Sequence, residues 1–199
     1  MGTTAADIIT GNGGVDRFFA GAGNDIIVLG ANDAVNLANN TPSNVKSCIY
    51  GGHGIDTIRL TGGMSLDLTR ISNAGAASEL IHSRINSIEK IDLGGADNIA
   101  NTLTLRALDV VDMSGVNLFN TGNGWSNNSG GTALGASNNR HQLVVNGAGS
   151  GAIQDKLDID EANWTKATGT VSDGTLSYDV YNHNSIYAQL LVQQGVLVI

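Results

Sequence analysis

The sequence has one cysteine, Cys48, so no disulfide can form within the chain. It also has one proline, Pro42, which excludes a proline-stiffened linker. Basic residues are scarce, 10 Lys and Arg against 18 Asp and Glu, giving a net charge of −8. A nucleic-acid or anionic-lipid surface needs a basic face, and none is visible. The acidic balance suits a cationic ligand, although solubility alone would also account for it. No apolar run approaches the ~18 residues of a membrane-spanning helix. Met1-Gly2-Thr3-Thr4 shows neither the basic region nor the apolar stretch of a signal peptide, so Met1 is expected to begin an excised piece.

Catalytic signatures are missing too. The four histidines, His53, His82, His141 and His183, share no short spacing with one another or with Cys48. There is no HExxH, no nucleophile elbow and no phosphate-binding loop. The expectation is a protein that is not an enzyme.

What the chain has in quantity is glycine, 27 residues, with 41% hydrophobic residues to build a core. The glycines recur with a period of nine. GTTAADIIT (2–10), GNGGVDRFF (11–19) and AGAGNDIIV (20–28) run in phase, followed by a shortened LGANDAVNL (29–37). A further copy, GGHGIDTIR (51–59), fits G-G-x-G-x-D-x-U-x at every fixed place, U being a large apolar residue. Ile9, Phe18, Ile27 and Ile58 hold the U position. Glycine lets the backbone curl tightly and aim carbonyl oxygens inward. Aspartate adds a hard anionic oxygen, and calcium takes about six to eight such ligands. The x-U-x segment is then a short strand with U pointing inward. The residues expected to meet metal are Asp7, Gly11, Gly13, Asp16, Gly21, Gly23, Asp25, Asp33, Gly52, Gly54 and Asp56.

Two nonapeptides make one coil of 18 residues, so each turn should stack on the turn two repeats away. Turns 2–7 and 20–25 fall on one side, 11–16 and 29–33 on the other. Residues 38–46 read as a loop that replaces one turn, and 51–56 then returns above 29–33. The register predicts calcium between Asp7 and Asp25, Asp16 and Asp33, and Asp33 and Asp56.

Over residues 2–59 the chain resembles the repeats-in-toxin, or haemolysin-type calcium-binding, proteins. The resemblance implies a calcium-bound parallel β-roll, several Ca2+ ions, export through a type I secretion channel and an uncleaved C-terminal signal. The expected fold is all-β: a β-roll, or β-solenoid, over 1–60 and a β-rich C-terminal cap over 61–199.

Beyond residue 60 the nonapeptide fades. Strands are expected over 65–68, 88–93 and 101–105, and a short helix over 76–84. The phrases IEKIDL, NTLTL and LDVVDMS resemble the C-terminal region of large secreted bacterial adhesins of the biofilm and ice-binding class. Residues 114–140 read as a long polar surface loop, with Trp125 the aromatic that could anchor a ligand. Asp155 heads the acidic run 155–161, a further candidate for calcium. The alternating Leu176, Tyr178 and Val180, the turn at Asn182-His183-Asn184 and the apolar end Val196–Ile199 suggest a capping meander. Three functions fit: a calcium-dependent folding and export module of a cell-surface adhesin; a ligand-binding adhesin domain for ice, glycan or peptide; or the C-terminal piece of a secreted hydrolase. Each implies an extracellular location, no nucleic-acid partner and no membrane insertion.

Overall fold

The structure is a computed structural model that describes residues 1–39, 46–71, 83–94, 99–128, 131–147 and 153–199. In chain order the elements are β1 (Ile8–Thr10), β2 (Arg17–Ala22), β3 (Ile26–Leu29), α1 (Ala31–Ala38), β4 (Cys48–His53), β5 (Thr57–Leu60), β6 (Ser65–Asp67), β7 (Ile85–Asn86), β8 (Lys90–Asp92) and β9 (Thr102–Thr104). Then come α2 (Ala107–Met113), β10 (Ser126–Asn127), β11 (His141–Asn146), β12 (Lys156–Asp158), β13 (Trp164–Ser172), β14 (Ser177–His183), β15 (Ala188–Gln193) and β16 (Leu197–Val198).

The chain is mostly β. One sheet has nine strands in the order β1-β3-β5-β8-β11-β15-β14-β13-β10. Its first six strands pair in parallel, and its last four run antiparallel, so the sheet is mixed. A second sheet, β2-β4-β7, and a third, β16-β12-β9-β6, are parallel throughout.

Each parallel ladder carries one apolar column, as alternation along short strands demands. In the nine-stranded sheet it runs Ile9, Ile27, Ile58, Ile91, Val145, Val192. In the second sheet it is Phe18, Ile49, Ile85, and in the third Leu66, Leu103, Leu157, Val198. The three columns share one core. The U positions of the repeat are therefore the inward column, as the nonapeptide predicts.

Two helices depart from the all-β expectation. Residues 29–33 do not form a glycine turn; α1 begins there. Asp33 accepts a hydrogen bond from the Gly30 N–H at 2.9 Å, which caps the helix start, and the following Ala-Val-Asn-Leu-Ala favours helix. The phrase LDVVDM is likewise α2, with Asp109 accepting from the Arg106 N–H at 2.7 Å. The strands expected near 65–68, 88–93 and 101–105 are present as β6, β8 and β9. The helix expected over 76–84 lies, apart from its last two residues, outside the described residues, as does most of the 38–46 loop.

Residues 114–140 are more than a polar surface loop. They lay Phe119, Trp125 and Leu134 on the outer face of the nine-stranded sheet, against Val144, Tyr178, Val180 and Leu191. Trp125 is 8% exposed and packs between Phe119 and Tyr178, with ring centroids 5.5 and 5.0 Å away. It is a core residue of this second cluster, not an exposed anchor. The meander β13-β14-β15 extends the sheet sideways from β11, while β16 crosses to the third sheet.

Candidate metal centre

β1 and β3 pair Ile8 with Ile26, an 18-residue coil. The turn 20–25 therefore lies directly over 2–7: the Ala22 N–H donates to Thr3 O at 3.1 Å and the Gly2 N–H to Phe19 O at 2.8 Å. The next coil is longer. It includes α1 on the far side, and the chain re-enters with Arg17 opposite Cys48 and Ile26 opposite Thr57. The turn 51–56 consequently stacks on 20–25. This corrects the expected register, in which Asp56 faced Asp33; the longer coil returns the glycine turn to its own column.

The column is built from one repeated contact. The Asp7 N–H donates to Asp25 Oδ1 at 2.8 Å, the Asp25 N–H to Asp56 Oδ1 at 2.8 Å, and the Asp56 N–H to Glu89 Oε2 at 2.8 Å. Each carboxylate uses one oxygen to seat the coil beside it. The second oxygen of Asp25 and of Asp56, Oδ2 in each, is sealed from solvent and has no hydrogen-bond donor. Asp25 and Asp56 are both fully buried.

The glycines make this proximity possible. Gly21 and Gly52 have φ of 114° and 109°, and Gly52 sits against the Gly21 carbonyl so closely that a Cβ would fall on the oxygen. A Cβ on Gly23 would meet the Ala5 carbonyl carbon at 2.6 Å. No other residue fits such a stack of carbonyl groups.

On the other side, α1 covers the turn 11–16. Asn36 Nδ2 donates to Gly14 O at 2.6 Å, and a Cβ on Gly11 would lie 2.5 Å from Asp33 Oδ1. Asp33 Oδ1 and Asp16 Oδ2 are again buried without a donor. Asp33 thus lies over the turn that contains Asp16, as the repeat predicts, but from a helix.

A sealed carboxylate oxygen without a donor is costly unless a cation meets it. Hard divalent ions with oxygen ligands answer that need, taking carboxylates and backbone carbonyls together. Four such oxygens lie on the two turn columns, so the residues fit calcium. Among the described residues no three His, Cys, Asp or Glu side chains gather into a metal cluster. Backbone carbonyls of the glycine turns would have to complete each ligand set.

Electrostatics agree. Burial, and then the Asp25 charge, push the Asp56 carboxyl above its usual range against the opposing pull of the Asp25 N–H bond. Glu89 is pushed up to about 7, by burial first and then by the charge of Asp56. Metal-free, the column carries more negative charge than it can comfortably hold.

Sequence reasoning missed Glu89. The sequence signal is that Glu89-Lys90-Ile91 repeats the spacing of Asp56-Thr57-Ile58; in the structure Ser87, at φ 53°, takes a left-handed position of the turn. The same device recurs on the third sheet. The Met64 N–H donates to Asn101 Oδ1 at 2.8 Å, and the Asn101 N–H to Asp155 Oδ1 at 2.7 Å. Asp155, the head of the acidic run, is fully buried in this separate row; Asp160 and Glu161 are exposed.

Residues 1–33 match a family model described as the RTX calcium-binding nonapeptide repeat, with four copies. This segment therefore carries calcium-binding repeats of a kind found in secreted proteins. No curated protein and no solved structure matches the chain.

Proposed function

We propose that the chain is a calcium-dependent folding and export module, standing near the C-terminal end of a large secreted adhesin. The observation that carries the calcium part is the row of buried carboxylate oxygens without donors, at Asp25, Asp56, Asp16 and Asp33. In this reading residues 2–59 are a calcium-loaded parallel β-roll. Asp7, Asp25 and Asp56 serve the first column with the Gly21, Gly23, Gly52 and Gly54 turns; Asp16 and Asp33 serve the second with the Gly11 and Gly13 turn. Calcium bound there supplies the positive charge that lets the carboxylates lie close together. The residues do the rest: Oδ1 of Asp25 and of Asp56 fixes the neighbouring coil, Gly21, Gly23, Gly52 and Gly54 admit a carbonyl, and each U side chain closes the core.

Without cation, the chain must order a glycine-rich backbone, which costs about 1–2 kcal/mol per residue, while crowding its carboxylates. Extracellular calcium modules have dissociation constants of about 10⁻⁴ to 10⁻³ M. Such a segment stays open where calcium is scarce, as in a cytosol, and closes where it is millimolar. That supports passage through a type I channel unfolded and folding on emergence. The adhesin setting rests on the resemblance of the phrases IEKIDL, NTLTL and LDVVDMS.

The test is far-UV circular dichroism with thermal melting, in chelator and then in calcium up to ~10 mM, with magnesium as the control. A gain of β signal and melting temperature with calcium alone is expected. A β-rich spectrum in chelator, unmoved by calcium, would remove the folding switch from the reading.

A further inference from the structure

One row of side chains crosses the outer face of the nine-stranded sheet. The register aligns Ile8, Ile26, Thr57, Lys90, Val144, Leu191 and Val180. Val144, Leu191 and Val180 are fully buried beneath the 114–140 cover, while Ile8 is 70% exposed. The cover stops partway across the sheet, so its edge stands as a wall above an open floor. At that step lies a cavity of about 580 Å³. Ile26, Thr57 and Lys90 line its floor, and Leu118, Phe119 and Trp125 its wall. Asn24 and Asn123 also line it. The volume falls within the ~300–1,000 Å³ of small-ligand sites.

Its charge is specific. Lys90 Nζ lies 5.8 Å from the Phe119 ring centroid. The two ion pairs present among the described residues join Arg59 to Asp92 and Lys166 to Asp179, and neither includes Lys90. Asp173 feels the Lys90 charge only at a distance. The floor therefore offers an ammonium beside an aromatic wall, with amide and hydroxyl groups around it.

We infer that this step binds one carboxylate-bearing sugar unit of an acidic saccharide. The carboxylate would pair with Lys90, the ring would lie along the aromatic edge, and the hydroxyls would meet Thr57, Asn24 and Asn123. Neutral sugars lack the first contact, and fatty carboxylates lack the last. One lining group opposes an anion: Asp25, whose charge is offset only with the cation of the preceding section in place. The inference rests on that reading to this extent.

Trp164 packs against His183, away from this cavity, so a Trp164→Phe chain leaves Trp125 as its only tryptophan reporter. That protein, in calcium and with its β structure verified by circular dichroism, is titrated with trigalacturonate, galactotriose and hexanoate. Saturable fluorescence change with trigalacturonate alone is expected. Lys90→Gln should weaken it at least about tenfold and Lys90→Arg should retain it. The affinity should also fall with added salt. No binding by the folded protein, equal binding of galactotriose, or indifference to Lys90→Gln would overturn the inference and leave the calcium reading standing. If the protein folds without calcium, the calcium reading falls first, and the same titration on that folded state decides this one.

Discussion

Asp56 offers the sharpest test of the metal column. It is fully buried, its Oδ1 accepts the Asp25 N–H at 2.8 Å, and its Oδ2 has no donor. Asp56→Asn keeps the shape and the Oδ1 acceptor but removes the anionic oxygen. The amide it introduces has a cost of its own, about 1–3 kcal/mol if its N–H groups stay unsatisfied. That cost is present with and without metal, so the quantity to read is the calcium-induced rise in stability. A site saturated at about a hundred times its dissociation constant contributes about 2.7 kcal/mol. Losing one site should shrink the calcium-induced rise in Tm by roughly 5–10 °C for a chain of this size. Asp92→Asn is the control, because Asp92 pairs with Arg59 at 2.7 Å outside the turn columns. It should leave the calcium-induced rise unchanged. Melting both variants and the parent in chelator and in calcium decides the matter. An equal calcium-induced rise in parent and Asp56→Asn would refute the assignment of Oδ2 as a ligand.

Three further outcomes follow from the geometry. In chelator, lowering the pH should stabilise whatever folded state exists: Glu89 holds its proton up to about 7 when folded but only to 4.5 when free, so the folded state binds more protons between these values and stability falls as pH rises through that window. The effect is at most roughly 3 kcal/mol, and urea midpoints at pH 4.5 and 8 measure it; a midpoint rising with pH would contradict it. Gly52→Ala should abolish calcium-induced folding or raise its calcium midpoint severely, because φ is 109° and the Cβ meets the Gly21 carbonyl; Gly62→Ala, with φ 75° and nothing within 4 Å, should cost only about 1–2 kcal/mol. Calcium titrations of the two variants would separate these expectations. Arg84, 6% exposed, donates to Ser47 O at 3.0 Å, Asn39 O at 2.7 Å and Asn36 O at 3.3 Å, tying α1 to the start of β4. Arg84→Leu should cost about 2–4 kcal/mol in urea unfolding, and Arg84→Lys should fail to restore it, since one ammonium cannot span three carbonyls.

The sequence made the local unit legible and left its stacking partly hidden, for a physical reason. Period nine with D-x-U is a statement about one turn and one strand, and both are found: the U residues form the inward column, and Asp25 and Asp56 seat the neighbouring coil. Stacking depends on how much chain is spent elsewhere. Asp25 and Asp56 are 31 residues apart, and Asp56 and Glu89 33, although each pair is in direct contact. No nonapeptide count could recover those offsets, because the inserted α1 and the segment before β7 have no repeat of their own. The helix itself shows why local composition can mislead. Gly-Ala-Asn-Asp suggests a turn ligand at Asp33, but the same Asp at the third position of a helix is a good cap for its start. Both readings put its carboxylate over the turn 11–16, so the chemistry survived the change of backbone. The 114–140 segment failed differently. Its Asn, Gly and Ser content is high, and three apolar residues, Phe119, Trp125 and Leu134, are spaced too irregularly to show a period. Yet those three suffice to cover the sheet from Val144 to Val180, because strand alternation has already gathered Val144, Leu191 and Val180 into a waiting apolar row. A cover needs only a few anchors when its counterpart is periodic, and where the anchors end at Phe119 and Trp125 the row continues as Lys90 and Thr57. The cavity is therefore a consequence of the sheet outrunning its cover, and the change from valine to lysine along one register fixes the charge that cavity presents.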